Sequence, residues 1–117
     1  MSLPQAHAIE APTRLLIVTT TVGTEADARA LAHALVNQRL AACAQIERID
    51  SVYRWEGAVQ QDAEWRLVFK TTRALYPQVE QAIRALHRYT LPAIHAVAVE
   101  AASADYAAWV IAETRQP

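Results

Sequence analysis

A chain of 117 residues with a hydrophobic fraction of 53% is long enough for one folded domain and too short for two. Its eleven basic and twelve acidic residues leave a formal net charge of −1, which argues against the basic surface of a nucleic-acid-binding protein. A single cysteine excludes an intramolecular disulfide and a cysteine-rich zinc site, and no apolar run approaches the roughly 20 residues that span a bilayer.

The first thirteen residues contain Pro4, Pro12 and alanine-rich patches, and we predict a flexible tail over residues 1–13. This segment lacks the basic start and apolar centre of a signal peptide, so the cytoplasm is the expected location. Residues 14–117 then form a single domain.

The domain is predicted to begin with a strand and a helix. Residues 14–21 form a continuous apolar and β-branched run, typical of a central strand buried on both faces. Gly23 ends this strand, and Thr24 opens a helix that ends near Arg39. The helix is predicted to bury a stripe at helical spacing: Ala28, Leu31, Ala32 and Leu35.

The next thirty residues predict a long β-hairpin closed by a turn at Gly57. In its first arm, Asp50 and Ser51 indicate a bend or bulge, and beyond them Tyr53 and Trp55 share one face. The returning arm places three apolar residues on one face: Trp65, Leu67 and Phe69. At about 3.3 Å per residue, each arm could span about 45 Å, so part of the hairpin should pack on a neighbouring subunit.

A second helix and strand follow. Pro77 suits the first turn of the helix, and Val79, Ile83 and Leu86 recur on one face. Residues 94–101 form the fourth strand. A last short helix is predicted to start at Ser103 and Asp105, with three packing residues: Tyr106, Trp109 and Val110.

The order βαββαβ plus a terminal helix is that of an α+β, ferredoxin-like fold. Right-handed crossovers then give an antiparallel four-stranded sheet with both main helices on one face. The opposite face of the sheet needs cover, which favours an oligomer.

His87 is the sharpest candidate for a functional side chain. It lies at the end of the second predicted helix, where it can cap helix carbonyls or contact a metal or small ligand. Cys43, in an alanine-rich segment, is either a small buried hydrophobe or a soft-metal ligand. Lys70 suits an ion pair or a pocket cation. The hairpin aromatics suit packing or a pocket wall: Tyr53, Trp55 and Trp65.

Catalytic signatures are missing from the sequence, which has no glycine-rich phosphate loop, no Gly-x-Ser-x-Gly elbow and no His-Glu-x-x-His motif. An acylphosphatase would need an arginine in the loop after the first strand, and residues 20–24 contain none. We therefore predict a protein that is not an enzyme.

Several blocks, in the correct order from Leu15 onward, resemble the CutA family of divalent-cation tolerance proteins. They comprise Glu25-Ala26, Arg39-Leu40-Ala41-Ala42-Cys43, Tyr53-Arg54-Trp55-Glu56-Gly57, Lys70-Thr71-Thr72, Leu86-His87-x-Tyr89 with Pro92, and Tyr106-x-x-Trp109. The resemblance implies a homotrimer, similar in architecture to the PII signalling proteins, whose hairpins extend across neighbouring subunits. It also implies a role in tolerance of copper and other divalent cations, with a site in the clefts between subunits.

That resemblance makes His87 a candidate metal ligand, and the soft thiol of Cys43 makes it a second candidate. Trp55, Lys70 and Tyr89 are candidate contacts of a small ligand between subunits. The chain departs from the family pattern at Arg88, where proline is usual, and at Thr90, Thr20 and Leu86. Since a tight copper site takes three or four soft or imidazole ligands, only weak binding of Cu²⁺ or another divalent cation is expected. The alternative is a PII-like scaffold that acts through protein partners, with indirect metal effects.

Overall fold

The computed structural model describes residues 11–116 and contains the predicted order of elements. The four strands and three helices are β1 (Leu15–Val22), α1 (Glu25–Asn37), β2 (Cys43–Trp55), β3 (Ala58–Thr72), α2 (Tyr76–Leu86), β4 (Ile94–Ala98) and α3 (Ala104–Glu113), with a 3₁₀ turn at Arg73–Leu75 before α2. Residues 1–10 of the predicted tail lie outside the described residues. At its described end, the Pro12 carbonyl accepts a hydrogen bond from the Ala74 amide at 3.1 Å.

The sheet has the order β2-β3-β1-β4, and each neighbouring pair is antiparallel. This is the split βαβ arrangement that the sequence predicts. The helices share one core with the central strands, which confirms that both main helices cover the same face. That core includes Val18, Leu31, Leu35, Leu67, Phe69, Val79 and Ile83.

The helix α1 follows its predicted pattern closely. Thr24 is the N-cap, and its hydroxyl accepts a hydrogen bond from the Asp27 amide at 3.1 Å. The buried residues of the helix are those predicted: Ala28, Leu31, Ala32 and Leu35.

The hairpin of β2 and β3 is regular along its whole length. The register runs without a break from Cys43 opposite Lys70 to Trp55 opposite Ala58, so the predicted bulge at Asp50 and Ser51 is wrong. These polar residues sit where the hairpin has left the core, and an exposed ladder accepts them without a bend. Gly57 does form the turn, as predicted.

Three further predictions are corrected by the structure. The strand β1 is buried on the helix face only, because its other face is half-buried in the single chain. The strand β4 ends at Ala98 instead of residue 101, since its partner β1 begins at Leu15. Leu86 is 52% exposed, because it ends α2 at the edge of the core.

On α3, Val110 is buried as predicted, but Tyr106 and Trp109 are 40% and 43% exposed. The helix is docked by Arg39, whose guanidinium donates to the carbonyls of Ala112 and Glu113 at 2.6 and 3.1 Å. Within residues 11–116, no helix is long and apolar enough to cross a membrane.

Candidate functional site

His87 lies at the end of α2, and both of its ring nitrogens make hydrogen bonds. Nε2 is 2.7 Å from the carbonyl oxygen of Thr21. Because a carbonyl only accepts, Nε2 carries the hydrogen and donates. Nδ1 then accepts from the backbone amide of Tyr89 at 3.1 Å. The ring therefore bonds β1 and the following loop, and does not cap the carbonyls of its own helix.

The register of the sheet explains why Thr21 needs this partner. The pairing of β4 with β1 ends at Ile94 opposite Thr20. In the described part of the chain, the next residues of β1 have no strand beside them on that edge. The His87 ring takes the place of a strand partner at the edge of β1, since a part-buried carbonyl without a partner is costly.

Tyr89 continues the same hydrogen-bonded network onto β3. Its hydroxyl donates to Oε2 of Glu64 at 2.8 Å, and its ring lies 4.9 Å from the His87 ring, centroid to centroid. Glu64 is a buried carboxyl group, with 9% of its surface exposed. Burial of Tyr89, followed by its bond to Glu64, raises the pKa of the phenol well above its ordinary value.

A second phenol–carboxylate pair lies further along the hairpin. The Tyr53 hydroxyl donates to Oδ2 of Asp62 at 2.6 Å, and this bond is the main cause that raises the Tyr53 pKa. Sequence reasoning missed Asp62 and Glu64. Their alternation on β3 places both carboxylates on one face, and this was the available signal.

A cavity of about 230 Å³ lies beside this network. It is lined by residues 22–24, Asp27, Leu31 and residues 86–89. Arg88 and Asp27 form an ion pair there, with Nε and Oδ2 3.0 Å apart. Gly23 leaves room for Tyr89, since a Cβ at that position would lie 3.2 Å from the phenol oxygen.

The structure brings His87 and Tyr89 together, but it places the other candidate residues elsewhere in the chain. Trp55 pairs with Ala58 at the hairpin tip, whereas Lys70 pairs with Cys43 at the base. At about 3.3 Å per residue, about 40 Å of strand separates Trp55 from Lys70. Within one chain they cannot line the same pocket.

Cys43 is half-buried at the start of β2, and its Sγ lies 3.8 Å from the Tyr106 hydroxyl. The Tyr106 ring stacks on Trp109 at 5.9 Å between centroids. Partial burial, and then the contact with Cys43, raises the pKa of Tyr106. Cys43 therefore belongs to a cluster at the base of the hairpin that is separate from the surroundings of His87.

The contacts of His87 and Cys43 determine whether a single chain can hold a metal ion. Within residues 11–116, no group of three or more His, Cys, Asp or Glu side chains is placed to hold a metal ion. His87 has both nitrogens engaged, and Cys43 lies in a separate cluster. The described side chains of one chain therefore do not fit a resident metal site.

Comparisons with known proteins agree on one family. A sequence profile described as "CutA1 divalent ion tolerance protein" matches residues 16–113. "Divalent-cation tolerance protein CutA" of Thermus thermophilus is 41% identical over 95 residues, which is 80% of this chain and 92% of that protein. "Protein CutA 1, chloroplastic" of Oryza sativa is 34% identical over 102 residues, covering 86% of this chain and 58% of that protein.

Solved structures give the same result. The crystal structure of CutA1 from Oryza sativa superposes with a TM-score of 0.86 at 33% identity. The match covers 90% of this chain and 99% of that one. The two chains therefore share the same fold.

Proposed function

The chain belongs to the CutA1 family of divalent ion tolerance proteins, and from this premise we propose that it acts as a homotrimer in the cellular response to divalent metal ions. The observation that carries the proposal is the family match over residues 16–113, together with the position of His87 in the fold. The His87 ring links β1 to the loop after α2, and through Tyr89 it is connected to β3. A change at this ring would therefore alter contacts of β1, of β3 and of the loop after α2.

The proposed trimer is supported by the exposed apolar surface of the single chain. Near the hairpin tip, Val52 and Val59 are 67% and 63% exposed, and Tyr53 and Trp55 are also open to solvent. A monomer rarely leaves so many large apolar side chains together in water. We expect the trimer to persist after chelator treatment, because aromatic packing of the hairpins holds it together. A monomer seen by size-exclusion chromatography with light scattering would contradict this.

The proposed cation binding is weak, and His87 and Cys43 are its candidate ligands. An imidazole binds a cation through a lone pair, and the one on Nδ1 of His87 already accepts from the Tyr89 amide. A cation bound at Nδ1 would break the hydrogen bond from the Tyr89 amide, and it would need further ligands from a neighbouring chain. We propose that the bound cation is Cu²⁺ or a similar divalent ion. We separately propose Trp55, Lys70 and Tyr89 as contacts of a small-molecule ligand between subunits.

The proposal is tested by calorimetric titration of chelator-treated protein with Cu²⁺. The His87→Gln variant removes the imidazole but keeps a side-chain N–H donor, and His33→Ala is the control because His33 lies on the exposed face of α1. We expect weak binding that is lost in His87→Gln and retained in His33→Ala. Loss only in Cys43→Ala would move the cation site to the thiol.

A scaffold that acts through protein partners is the second candidate function. The exposed aromatic pair Tyr106 and Trp109 on α3 favours it, since aromatic side chains are enriched in protein interfaces. Identical weak, multi-site heats in all three variants would support the scaffold, and metal effects would then be indirect. In neither candidate function does the protein act as an enzyme.

We propose the cytoplasm as the location of the protein. The rice relative carries the word chloroplastic in its name, so members of the family are not confined to one compartment. Fractionation of cells that express the tagged chain would test this proposal.

A further inference from the structure

The cavity beside Tyr89 has apolar walls and a polar rim whose side chains are already paired. Val22 and Leu31 are 4% and 2% exposed and form its inner wall, while Leu86 lies at the mouth. Leu86 is 52% exposed because it ends α2 at the edge of the core. An apolar side chain at the mouth of an apolar cavity would contact whatever enters.

The polar side chains around the cavity make hydrogen bonds or ion pairs within the protein. The Thr24 hydroxyl accepts from the Asp27 amide, and the Asp27 carboxylate pairs with Arg88. His87 uses both ring nitrogens, and the Tyr89 hydroxyl donates to Glu64. These bonds use part of the hydrogen-bonding capacity around the cavity, and the surface that faces the cavity is mainly apolar.

We propose that this cavity binds a small, largely apolar ring compound through contacts with Val22, Leu31 and Leu86. Its volume of about 230 Å³ exceeds that of the cavity of about 150 Å³ lined by Leu, Ile and Phe that binds benzene. It is smaller than the cavities of about 300–1,000 Å³ that hold drug-sized ligands. The expected ligand therefore has one ring or two fused rings, and affinity comes from apolar burial.

This inference deepens the proposed function, because it rests on the part that places a small ligand beside Tyr89. It does not rest on cation binding. Its test uses no metal and no variant of His87 or Cys43. A negative result for the ring compound therefore does not contradict cation binding, and a negative result for cation binding does not contradict the ring compound.

The experiment titrates the full chain with indole, in the presence of a chelator, and follows the backbone amide signals by NMR. We expect saturable shifts at residues 22–31 and 86–89, with a dissociation constant of about 1 mM or tighter. Shifts centred on the hairpin tip, or none that saturate below the solubility of indole, would overturn the proposal.

Two variants identify the site. Leu86→Glu puts a carboxylate at the mouth of the cavity and should weaken indole binding at least about tenfold. Leu91→Glu is the matched control, because Leu91 is 68% exposed and lies outside the lining. Equal loss in both variants would overturn the proposal.

Gly23→Ala provides an independent check that leaves Leu86 unchanged. The new methyl group would lie 3.2 Å from the Tyr89 hydroxyl and would displace that ring. We expect weaker indole binding in this variant and an unchanged affinity in the Leu91→Glu control. Unchanged binding in both Gly23→Ala and Leu86→Glu would show that indole binds elsewhere.

Discussion

At the scale of single residues, His87 is first a structural group at the edge of the sheet. His87→Ala removes the donor to the Thr21 carbonyl and the acceptor of the Tyr89 amide. We expect the free energy of unfolding to fall by about 1–3 kcal/mol, because both backbone groups lose a partner. Urea denaturation measures this loss. His87→Gln should recover part of it, and an Ala variant as stable as the parent would contradict the assignment.

Arg39 offers a second residue-scale test, since it combines a left-handed backbone with a capping side chain. Its φ is 58°, and its guanidinium binds two terminal carbonyls of α3. Arg39→Ala loses those bonds and keeps the strained backbone, so a loss of about 1–3 kcal/mol is expected. Arg39→Gly should be less damaging than Ala by about 1 kcal/mol, because glycine adopts positive φ readily.

The measurement for Arg39 is again the free energy of unfolding in urea. Arg29→Ala is the control, because Arg29 makes only an exposed ion pair with Glu25 on α1. If Gly were as damaging as Ala, the backbone of Arg39 would not be strained and the capping bonds alone would account for the loss.

At the scale of elements, the hairpin turn is suited to improvement. Glu56 and Gly57 have φ values of 50° and 79°, as the two central residues of a type I′ turn require. Asparagine tolerates positive φ better than glutamate does, so Glu56→Asn should stabilise the protein by about 0.5 kcal/mol. A thermal unfolding midpoint above that of the parent would confirm it. Gln61→Asn, at an exposed strand position, should show no gain.

The helices and strands could be predicted from the sequence because the apolar residues of each segment repeat at the spacing of a helix or a strand. The stripe of α1 and the alternation of Leu67 and Phe69 on β3 are local signals, and the structure confirms both. The contact of Tyr89 with Glu64 joins residues far apart in sequence, and no local period encodes it. The role of His87 was equally hidden, because it depends on where the β4 register stops.

Apolar periodicity also identifies a face without saying what covers it. Tyr106 and Trp109 lie on the predicted side of α3, yet both are open to solvent in the single chain. The same holds for Tyr53 and Trp55 near the tip of the hairpin. Strand length sets the separation of Trp55 and Lys70 within one chain, so the predicted cleft needs these residues from different subunits.

At the scale of the whole molecule, the four tyrosines share one electrostatic property. Each has a pKa raised above the ordinary value of 10.0. For Tyr76, Tyr89 and Tyr106 the main cause is burial, and for Tyr53 it is the bond to Asp62. The folded state therefore keeps these phenols neutral at a pH where the unfolded chain begins to release their protons.

This difference predicts that the protein loses stability in alkaline solution. A pKa raised in the folded state gives a stabilising contribution that is complete below about pH 10 and is lost as the pH rises through the folded values. We expect the free energy of unfolding in urea to fall between about pH 9 and pH 11. Tyr89→Phe should flatten this fall, because it removes a phenol that the fold keeps neutral. A stability that stays constant over this range would show that the phenols titrate alike in both states, and that the bonds to Glu64 and Asp62 do not persist in solution.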